Sequence, residues 1–220
     1  MDLYEALYTT RAMRRVSTDP VPLDVQQRIL DAAIRAPSGG NSQNWRFLLV
    51  DDQDVKDRLA PEYRLAMDDV WKLIYAERLA AANADPDDPE SKGMLATYKS
   101  AEWLANNFAS VPLFLFAFCQ FGPTGSSIYP AVWSAQLAAR AEGVGSALTS
   151  AGCLLRGPQT CEILGVPTDE GWIATCCVSF GYPTGKWGVA QRIPVQHVSY
   201  RNAWGTPVGF AADTPLWPPS

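Results

Sequence analysis

Four arginines in the sequence could hold a charged ligand. Arg11, Arg14 and Arg15 lie within five residues of one another near the N-terminus, and Arg192 lies near the other end of the chain. A guanidinium fork can bind phosphate through two parallel hydrogen bonds, so arginines that converge from distant positions are typical of a phosphate site. A solvated basic turn is the alternative that the cluster alone leaves open.

A loop rich in small and amide residues is the second candidate. Residues 36–45 read Ala-Pro-Ser-Gly-Gly-Asn-Ser-Gln-Asn-Trp. Ser38, Asn41 and Gln43, with the backbone around two glycines, offer hydrogen-bond donors and acceptors that could meet the edge of a heteroaromatic ring. A turn at the end of a helix is the simpler alternative. The chain lacks the glycine pattern of dinucleotide loops and the lysine of the P-loop, so neither standard nucleotide loop is expected.

The sequence shows no recognisable acid–base arrangement. The one histidine, His197, lies in a peripheral segment, so no Ser-His-Asp or Cys-His site is predicted, and no Asp or Glu pair flanks a recognisable pocket sequence. An enzyme of this composition would depend on a cofactor for its reactive group. The five cysteines show no CxxC spacing, so no metal site is expected and reduced, buried thiols are predicted.

Composition predicts one cytoplasmic domain. The 220 residues are 47% hydrophobic and carry a formal net charge of −5, and no basic stripe suggests nucleic acid as a partner. The longest apolar run, residues 111–119, fits a buried strand and is too short to span a membrane. No signal peptide is apparent at the N-terminus.

The hydrophobic pattern predicts an α+β fold. Strands are expected at 47–50, 111–119, 146–149 and 172–180, with helices between them and only one clean strand-helix-strand unit. Residues 62–108 are expected to form a two-helix excursion with an acidic tip, which makes them a candidate lid. Residues 195–220 contain three large aromatic side chains that need a surface to cover them.

Taken together, the ordered motifs resemble the FMN-dependent nitroreductase superfamily. They are Arg-x-x-Arg-Arg at 11–15, Ala-Pro-Ser-Gly-Gly-Asn-x-Gln-x-Trp at 36–45, Tyr-Pro-Ala at 129–131, Leu-Thr-Ser at 148–150, Leu-Gly-Val-Pro at 164–167, Gly-Tyr-Pro at 181–183 and Arg-Ile-Pro at 192–194. The resemblance covers nearly the whole chain. It implies a single nitroreductase-like domain over 1–220, with a mixed sheet flanked by helices. It also implies a homodimer with one tightly bound FMN per protomer and a C-terminal extension, 195–220, swapped onto the partner.

Site residues follow from the resemblance. Arg11 and Arg192 would hold the FMN phosphate, Arg14 would lie at the pyrimidine edge, and the partner's Tyr129-Pro130 segment would lie at the other edge. The chain departs from the family at Thr10, Ala12 and Ala190, so the phosphate cage would be thinner unless Arg15 or Lys186 compensates. The full set of expected cofactor contacts is Arg11, Ala12, Arg14, Arg15, Pro37, Ser38, Gly39, Asn41, Gln43, Tyr129, Pro130, Thr149, Ser150, Ala151, Gly152 and Arg192. The lid residues expected to meet substrate are Tyr63, Met67, Trp71, Tyr98 and Trp103.

The implied activity is a ping-pong transfer of hydride from NADPH or NADH, through flavin N5, to a nitroaromatic, quinone or related acceptor. Two alternatives stay open. One is reductive dehalogenation or other specialised flavin chemistry on the same fold, and the other is a flavin-binding protein without catalysis.

Overall fold

The computed structural model describes residues 1–120 and 125–218. Its helices are α1 (Leu3–Thr9), α2 (Leu23–Ala33), α3 (Gln53–Asp69), α4 (Ala76–Ala84), α5 (Pro89–Asn106), α6 (Ile128–Ala141), α7 (Ala151–Leu155) and α8 (Gly157–Leu164). Its strands are β1 (Trp45–Val50), β2 (Leu113–Gln120), β3 (Gly145–Thr149) and β4 (Trp172–Gly181). The four strands predicted from sequence are confirmed to within two residues at each end, as is the α+β class.

The sheet has the order β1-β2-β4-β3, and every ladder between its strands is antiparallel. The expected mixed sheet is therefore wrong for the described strands. The strand-helix-strand unit β2-α6-β3 does join two strands that run in the same direction, but β4 lies between them and pairs antiparallel with both. In the part of the chain that the structure describes, parallel pairing is limited to an isolated bridge between Ala12 and Ser146.

Strand β2 carries the two cores of the protein on its opposite faces. Phe114 and Phe116 point into one cluster, with side chains of α3, α5, α7 and α8, whereas Leu113 and Leu115 point into another, with α2 and α6. Alternate residues of a strand face opposite sides of a sheet, so a strand buried on both faces is apolar throughout. The continuous apolar run in the sequence is explained by this central position.

The N-terminal segment after α1 runs beside the start of β3. The Met13 amide donates to the Ser146 carbonyl at 2.8 Å. A Cβ on Gly145 would lie 2.9 Å from the Met13 Cβ, and a Cβ on Gly181 would lie 2.8 Å from the Val16 Cβ. Glycine is therefore required at these two positions for the segment that carries the N-terminal arginines to approach the sheet.

The predicted excursion at 62–108 is built from the second half of α3, a π-helical turn (Val70–Ile74), α4 and α5. Its first helix begins earlier than the pattern suggested, since α3 starts at Gln53, where the Asp52 side chain accepts a hydrogen bond from the Val55 amide. The acidic tip between α4 and α5 is exposed. π-Helical turns are rare and are frequently found at functional sites.

The C-terminal extension contains a short helical turn (Val195–His197) and a bridge between Tyr200 and Pro207, and its last two residues lie outside the described part. Trp204 and Phe210 are exposed on the protomer, at 91% and 55%, whereas Trp217 is half-buried with its ring centroid 5.9 Å from that of Tyr8. Among the helices of residues 1–120 and 125–218, none combines the length and apolarity that crossing a membrane would require.

Candidate functional site

A cavity of about 740 Å³ lies between the lid helices and the end of β3. One wall is the strand end itself, from Leu148 to Ala151. Another is α3 and the π-helical turn, and a third is α5. The cavity is lined by Arg14, Met67, Val70, Trp71, Ile74, Tyr75, Arg78, Glu90, Gly93, Met94, Thr97, Ala101, Leu148, Thr149, Ser150, Ala151, Leu154 and Leu155. The volume suits a planar ligand of cofactor size, because small-molecule pockets occupy a few hundred to about a thousand Å³.

Arg14 supplies a half-buried positive charge to this cavity. Its guanidinium donates to the Ser100 hydroxyl at 3.4 Å, and no carboxylate of the described residues lies within ion-pair distance of it. Burial lowers the pKa of Arg14, but an arginine stays protonated at any physiological pH. An incompletely compensated cation in an apolar cavity favours an anionic group on whatever binds there.

The end of β3 is fixed from behind by α3. The buried Tyr63 hydroxyl donates to the Thr149 hydroxyl at 3.2 Å, and the Tyr63 ring lies beside Gly152. Burial raises the pKa of Tyr63 to about 12, so the phenol is neutral throughout the physiological range. Tyr63 therefore supports the strand end that lines the cavity.

Trp71 is the largest side chain of the lid that faces the cavity. Its indole N–H donates to the Glu102 carboxylate at 2.8 Å, and its ring packs edge-on against Tyr98 with the ring centroids 4.9 Å apart. Glu102 is held in turn by Arg64 through two hydrogen bonds, at 2.8 and 3.0 Å. The ring thus has a fixed orientation in a cavity wall.

The loop at 38–43 is preorganised but lies away from this cavity on the protomer. Asn41 and Gln43 have positive φ angles of 52° and 50°. The Gln43 backbone N–H donates to the Ser38 hydroxyl at 3.2 Å, and the Gln43 side-chain amide donates to the Asn41 side-chain oxygen at 3.1 Å. A left-handed backbone is uncommon for residues other than glycine and is found most often at ligand sites and tight turns. The predicted end-of-helix turn and a ligand loop are both compatible with this geometry.

The two arginines expected to share a phosphate have separate partners. The Arg11 guanidinium donates to the Lys186 carbonyl at 2.9 Å. The Arg192 guanidinium donates to the Gln191 carbonyl at 2.8 Å and lines a second cavity of about 810 Å³ between α1 and the C-terminal extension. The contact to Arg11 is made by the Lys186 backbone carbonyl, and a contribution of the Lys186 side chain at a phosphate stays a prediction. Arg15 is exposed.

Some of the remaining predicted site residues line the cavity and others do not. Lining it are Met67, Trp71 and the strand-end residues Thr149, Ser150 and Ala151. Tyr63 and Tyr98 lie behind it. Trp103 is half-buried on α5 and is not a lining residue. Away from the cavity lining are Ala12, Pro37, Ser38, Gly39, Asn41, Gln43, Tyr129, Pro130 and Gly152.

Sequence reasoning missed Ser100 and Glu102, which hold Arg14 and Trp71. It also missed Arg78 and Glu90 at the cavity edge. An arginine and a glutamate at these positions read as ordinary surface residues of amphipathic helices, so nothing in the local pattern would have marked them. Among the described residues, no group of three or more potential metal ligands occurs.

The α+β fold is shared with several solved flavoprotein structures. An FMN-bound nitroreductase from Desulfitobacterium hafniense has a TM-score of 0.64 and 20% identity, and the match covers 91% of this chain and all of that chain. An iodotyrosine deiodinase with FMN and 3-iodo-L-tyrosine bound has a TM-score of 0.65 and 20% identity, with coverage of 87% and 95%. At these identities, the likeness shows the fold.

Residues 7–182 match the sequence model of the nitroreductase family, so the chain belongs to this family of oxidoreductase enzymes. Curated relatives include the iodotyrosine deiodinase 1 of Sus scrofa, which is 36% identical over 78 residues, and that of Mus musculus, which is 24% identical over 195 residues. The first match covers 36% of this chain and 26% of the pig protein, and the second covers 83% and 62%. The chain therefore aligns with about a quarter of the pig relative and less than two thirds of the mouse relative.

Proposed function

We propose that this protein is an FMN-dependent oxidoreductase that carries hydride from NADPH or NADH to nitroaromatic, quinone or related small acceptors by a ping-pong mechanism. The observation that carries the proposal is Arg14. Its charge has no carboxylate partner among the described residues, and it faces an apolar cavity of about 740 Å³. FMN-bound relatives of the same fold support the choice of ligand.

The residues around the cavity fit FMN. Reduced flavin carries negative charge at its pyrimidine edge, and a fixed cation stabilises that charge more strongly in an apolar cavity than in water. Arg14 is such a cation, and Ser100 holds its guanidinium in place. When bound, FMN supplies the redox chemistry, taking a hydride at N5 and passing an electron pair to the acceptor.

The protein's own residues would then bind and orient the ligands and exclude water from the cavity. The β3 end, from Thr149 to Ala151, offers backbone groups at the cavity wall, and Tyr63 keeps that wall in position. The apolar lid residues exclude water from the reacting atoms. Tyr63 is neutral, its hydroxyl donates a hydrogen bond to Thr149, and it does not line the cavity, so we assign it a supporting role.

A homodimer is part of the proposal. The C-terminal extension exposes Trp204, Phe210 and Leu216 on the protomer, and large exposed apolar patches mark interfaces. A second copy would cover these side chains and could bring Arg192 or the loop at 38–43 to a flavin that Arg14 holds. Sedimentation equilibrium of the FMN-loaded protein tests this point, since a monomer at micromolar concentration contradicts it.

The proposed activity is tested by mixing the FMN-loaded protein with NADPH or NADH without air. We expect the absorbance of oxidised flavin to disappear and to return when a nitroaromatic or quinone is added. Bound FMN that neither nicotinamide reduces would overturn the reductase proposal. We also propose a cytoplasmic location, which the buried thiols of Cys153, Cys161, Cys176 and Cys177 support.

Reductive dehalogenation is a second candidate, which the deiodinase relatives favour. A substrate with an amino acid group would need a cation and a carboxylate in the lid. Arg78 and Glu90 line the cavity and provide that pair, whereas Lys72 and Lys99 are exposed and do not line it. Release of halide from a halotyrosine under reducing conditions, at a rate above that of nitroaromatic reduction, would select this candidate.

A further inference from the structure

Arg78 is a cation of the cavity wall that the proposed flavin site does not use. It lies in the first turn of α4, and its guanidinium carbon is 5.8 Å from the centre of the Tyr75 ring. The proposed flavin contact, Arg14, belongs to the N-terminal segment beside β3, so the two arginines reach the cavity from different elements. Arg78 is therefore free for a second ligand in the same cavity.

The one carboxylate near Arg78 among the described residues neutralises it poorly. Glu90 approaches to 4.0 Å, at the limit of an ion pair. The Glu90 side chain is 87% exposed and the Arg78 side chain 60% exposed. Exposed pairs of this kind contribute little because water screens both charges. Most of the charge on Arg78 thus remains available to a ligand.

The rest of the lining is suited to an aromatic ring. Trp71, Met94, Leu148 and Leu154 are among its apolar members. The charged members of the lining are Arg14, Arg78 and Glu90, a net positive set in a chain whose formal charge is −5. A positively charged, apolar-walled cavity concentrates anionic aromatic ligands relative to neutral ones.

We propose that Arg78 selects aromatic ligands that carry an anionic group, a carboxylate or a phosphate, and that it binds this group while the ring lies against the apolar lining. This inference rests on the proposed function, since the ligand shares the cavity with the flavin. The anionic group could belong to the electron acceptor or be a phosphate of NADPH. A guanidinium binds either anion through charge-assisted hydrogen bonds.

The test compares the FMN-loaded wild-type protein with Arg78→Gln and with the matched control Lys72→Gln, a change of an exposed lid cation outside the cavity lining. Steady-state kinetics are measured with p-nitrobenzoate and with nitrobenzene, and then with NADPH and with NADH. For Arg78→Gln we expect KM for p-nitrobenzoate to rise about tenfold, the equivalent of one charge-assisted contact. KM for nitrobenzene should stay within about twofold, and Lys72→Gln should match the wild type.

A rise confined to KM for NADPH, with NADH unchanged, would support the anion site and identify the donor's phosphate as its occupant. Equal effects on the charged and neutral acceptors, with no discrimination between the two nicotinamides, would overturn the inference. Calorimetric titration of the FMN-loaded protein with p-nitrobenzoate and with nitrobenzene gives a readout independent of turnover. If the wild type reduces no acceptor but loses affinity for p-nitrobenzoate on Arg78→Gln, the proposed function fails while the anion site stands.

Discussion

The Trp71 indole N–H donates to the Glu102 carboxylate at 2.8 Å, and this bond joins the π-helical turn of the lid to α5. Glu102 also receives two hydrogen bonds from Arg64, so one carboxylate fixes an aromatic wall of the cavity and neutralises a half-buried cation. The lid is thus held over the candidate site by polar contacts as well as by packing.

Glu102→Gln should loosen Trp71. The amide keeps an acceptor oxygen but loses the charge that Arg64 requires, so the free energy of unfolding should fall by about 1–2 kcal/mol. KM for an aromatic acceptor should rise several-fold with kcat nearly unchanged, because the ring is displaced rather than removed.

Urea unfolding and steady-state kinetics measure both effects of Glu102→Gln. Glu77→Gln, at an exposed position of α4, is the control. A variant whose stability falls with KM intact would show that Glu102 stabilises the fold without positioning the cavity wall.

Arg14→Gln should make the bound flavin harder to reduce. Loss of the cation removes about 1.5–3 kcal/mol of stabilisation from the anionic reduced form, which corresponds to about 30–65 mV in the two-electron midpoint potential. Equilibration with a reference dye measures that potential, and Arg14→Lys should recover part of it. The control variant is Arg15→Gln, because Arg15 is exposed. An unchanged potential in Arg14→Gln would remove Arg14 from the pyrimidine edge.

Asn41→Ala and Gln43→Ala should weaken FMN retention, and glycine variants separate the two causes. Both positions have positive φ. Asparagine tolerates this conformation better than alanine, so Asn41→Ala should also lose about 1 kcal/mol of stability, whereas glutamine and alanine carry the same Cβ penalty and Gln43→Ala should lose only side-chain contacts. Asn41→Gly and Gln43→Gly should keep the backbone and lose only side-chain contacts. Flavin remaining after gel filtration measures retention. Full occupancy in all four variants would show that this loop does not bind the cofactor.

Tyr63→Phe should change how stability depends on pH. The pKa of Tyr63 is about 12 in the folded protein and about 10 unfolded, so the folded state holds the phenolic proton more tightly. The resulting stability is fully present below pH 10 and is lost as the pH rises towards 12, by up to about 2.7 kcal/mol. Tyr63→Phe should be about 1 kcal/mol less stable than the wild type at pH 8, through loss of the bond to Thr149, and more stable near pH 12. Urea unfolding of both proteins across this range measures the difference, and a constant difference would contradict the expected pKa.

Much of the fold could be predicted from local pattern. Phe114 and Leu115 belong to a run that is apolar at every position, and only a central strand buries both faces, so its place in the sheet follows from composition. The same holds for α6, which begins at Ile128, next to the Tyr-Pro-Ala motif at 129–131, and for the order of motifs that marked the family. These signals are local, because a strand or helix imposes its period on neighbouring residues.

The pairing of strands required the tertiary structure. Helix α6 joins β2 to β3 along the chain, but β4, which begins 23 residues beyond the end of β3, lies between them in the sheet. The sequence pattern locates each strand but does not specify which strand it pairs with, because register and strand order depend on contacts between distant segments.

The site shows the same division. The arginine cluster marked Arg14, the family resemblance marked Thr149, and the predicted lid contained Trp71. Their partners Ser100, Tyr63 and Glu102 lie 86, 86 and 31 residues away in the chain. Tyr63 was expected to meet substrate, and its contact with Thr149 was found only in the tertiary structure, as were Ser100 and Glu102. Which groups could bind a ligand is a property of the side chains, whereas the lack of a carboxylate beside Arg14 within residues 1–120 and 125–218 depends on every segment that surrounds it. The sequence by itself determined the family, the α+β class and the list of candidate residues. The tertiary structure decided that Arg14, the β3 end and Trp71 form one cavity while Arg11 and Arg192 have separate partners, because only folding sets distances between residues far apart in the chain.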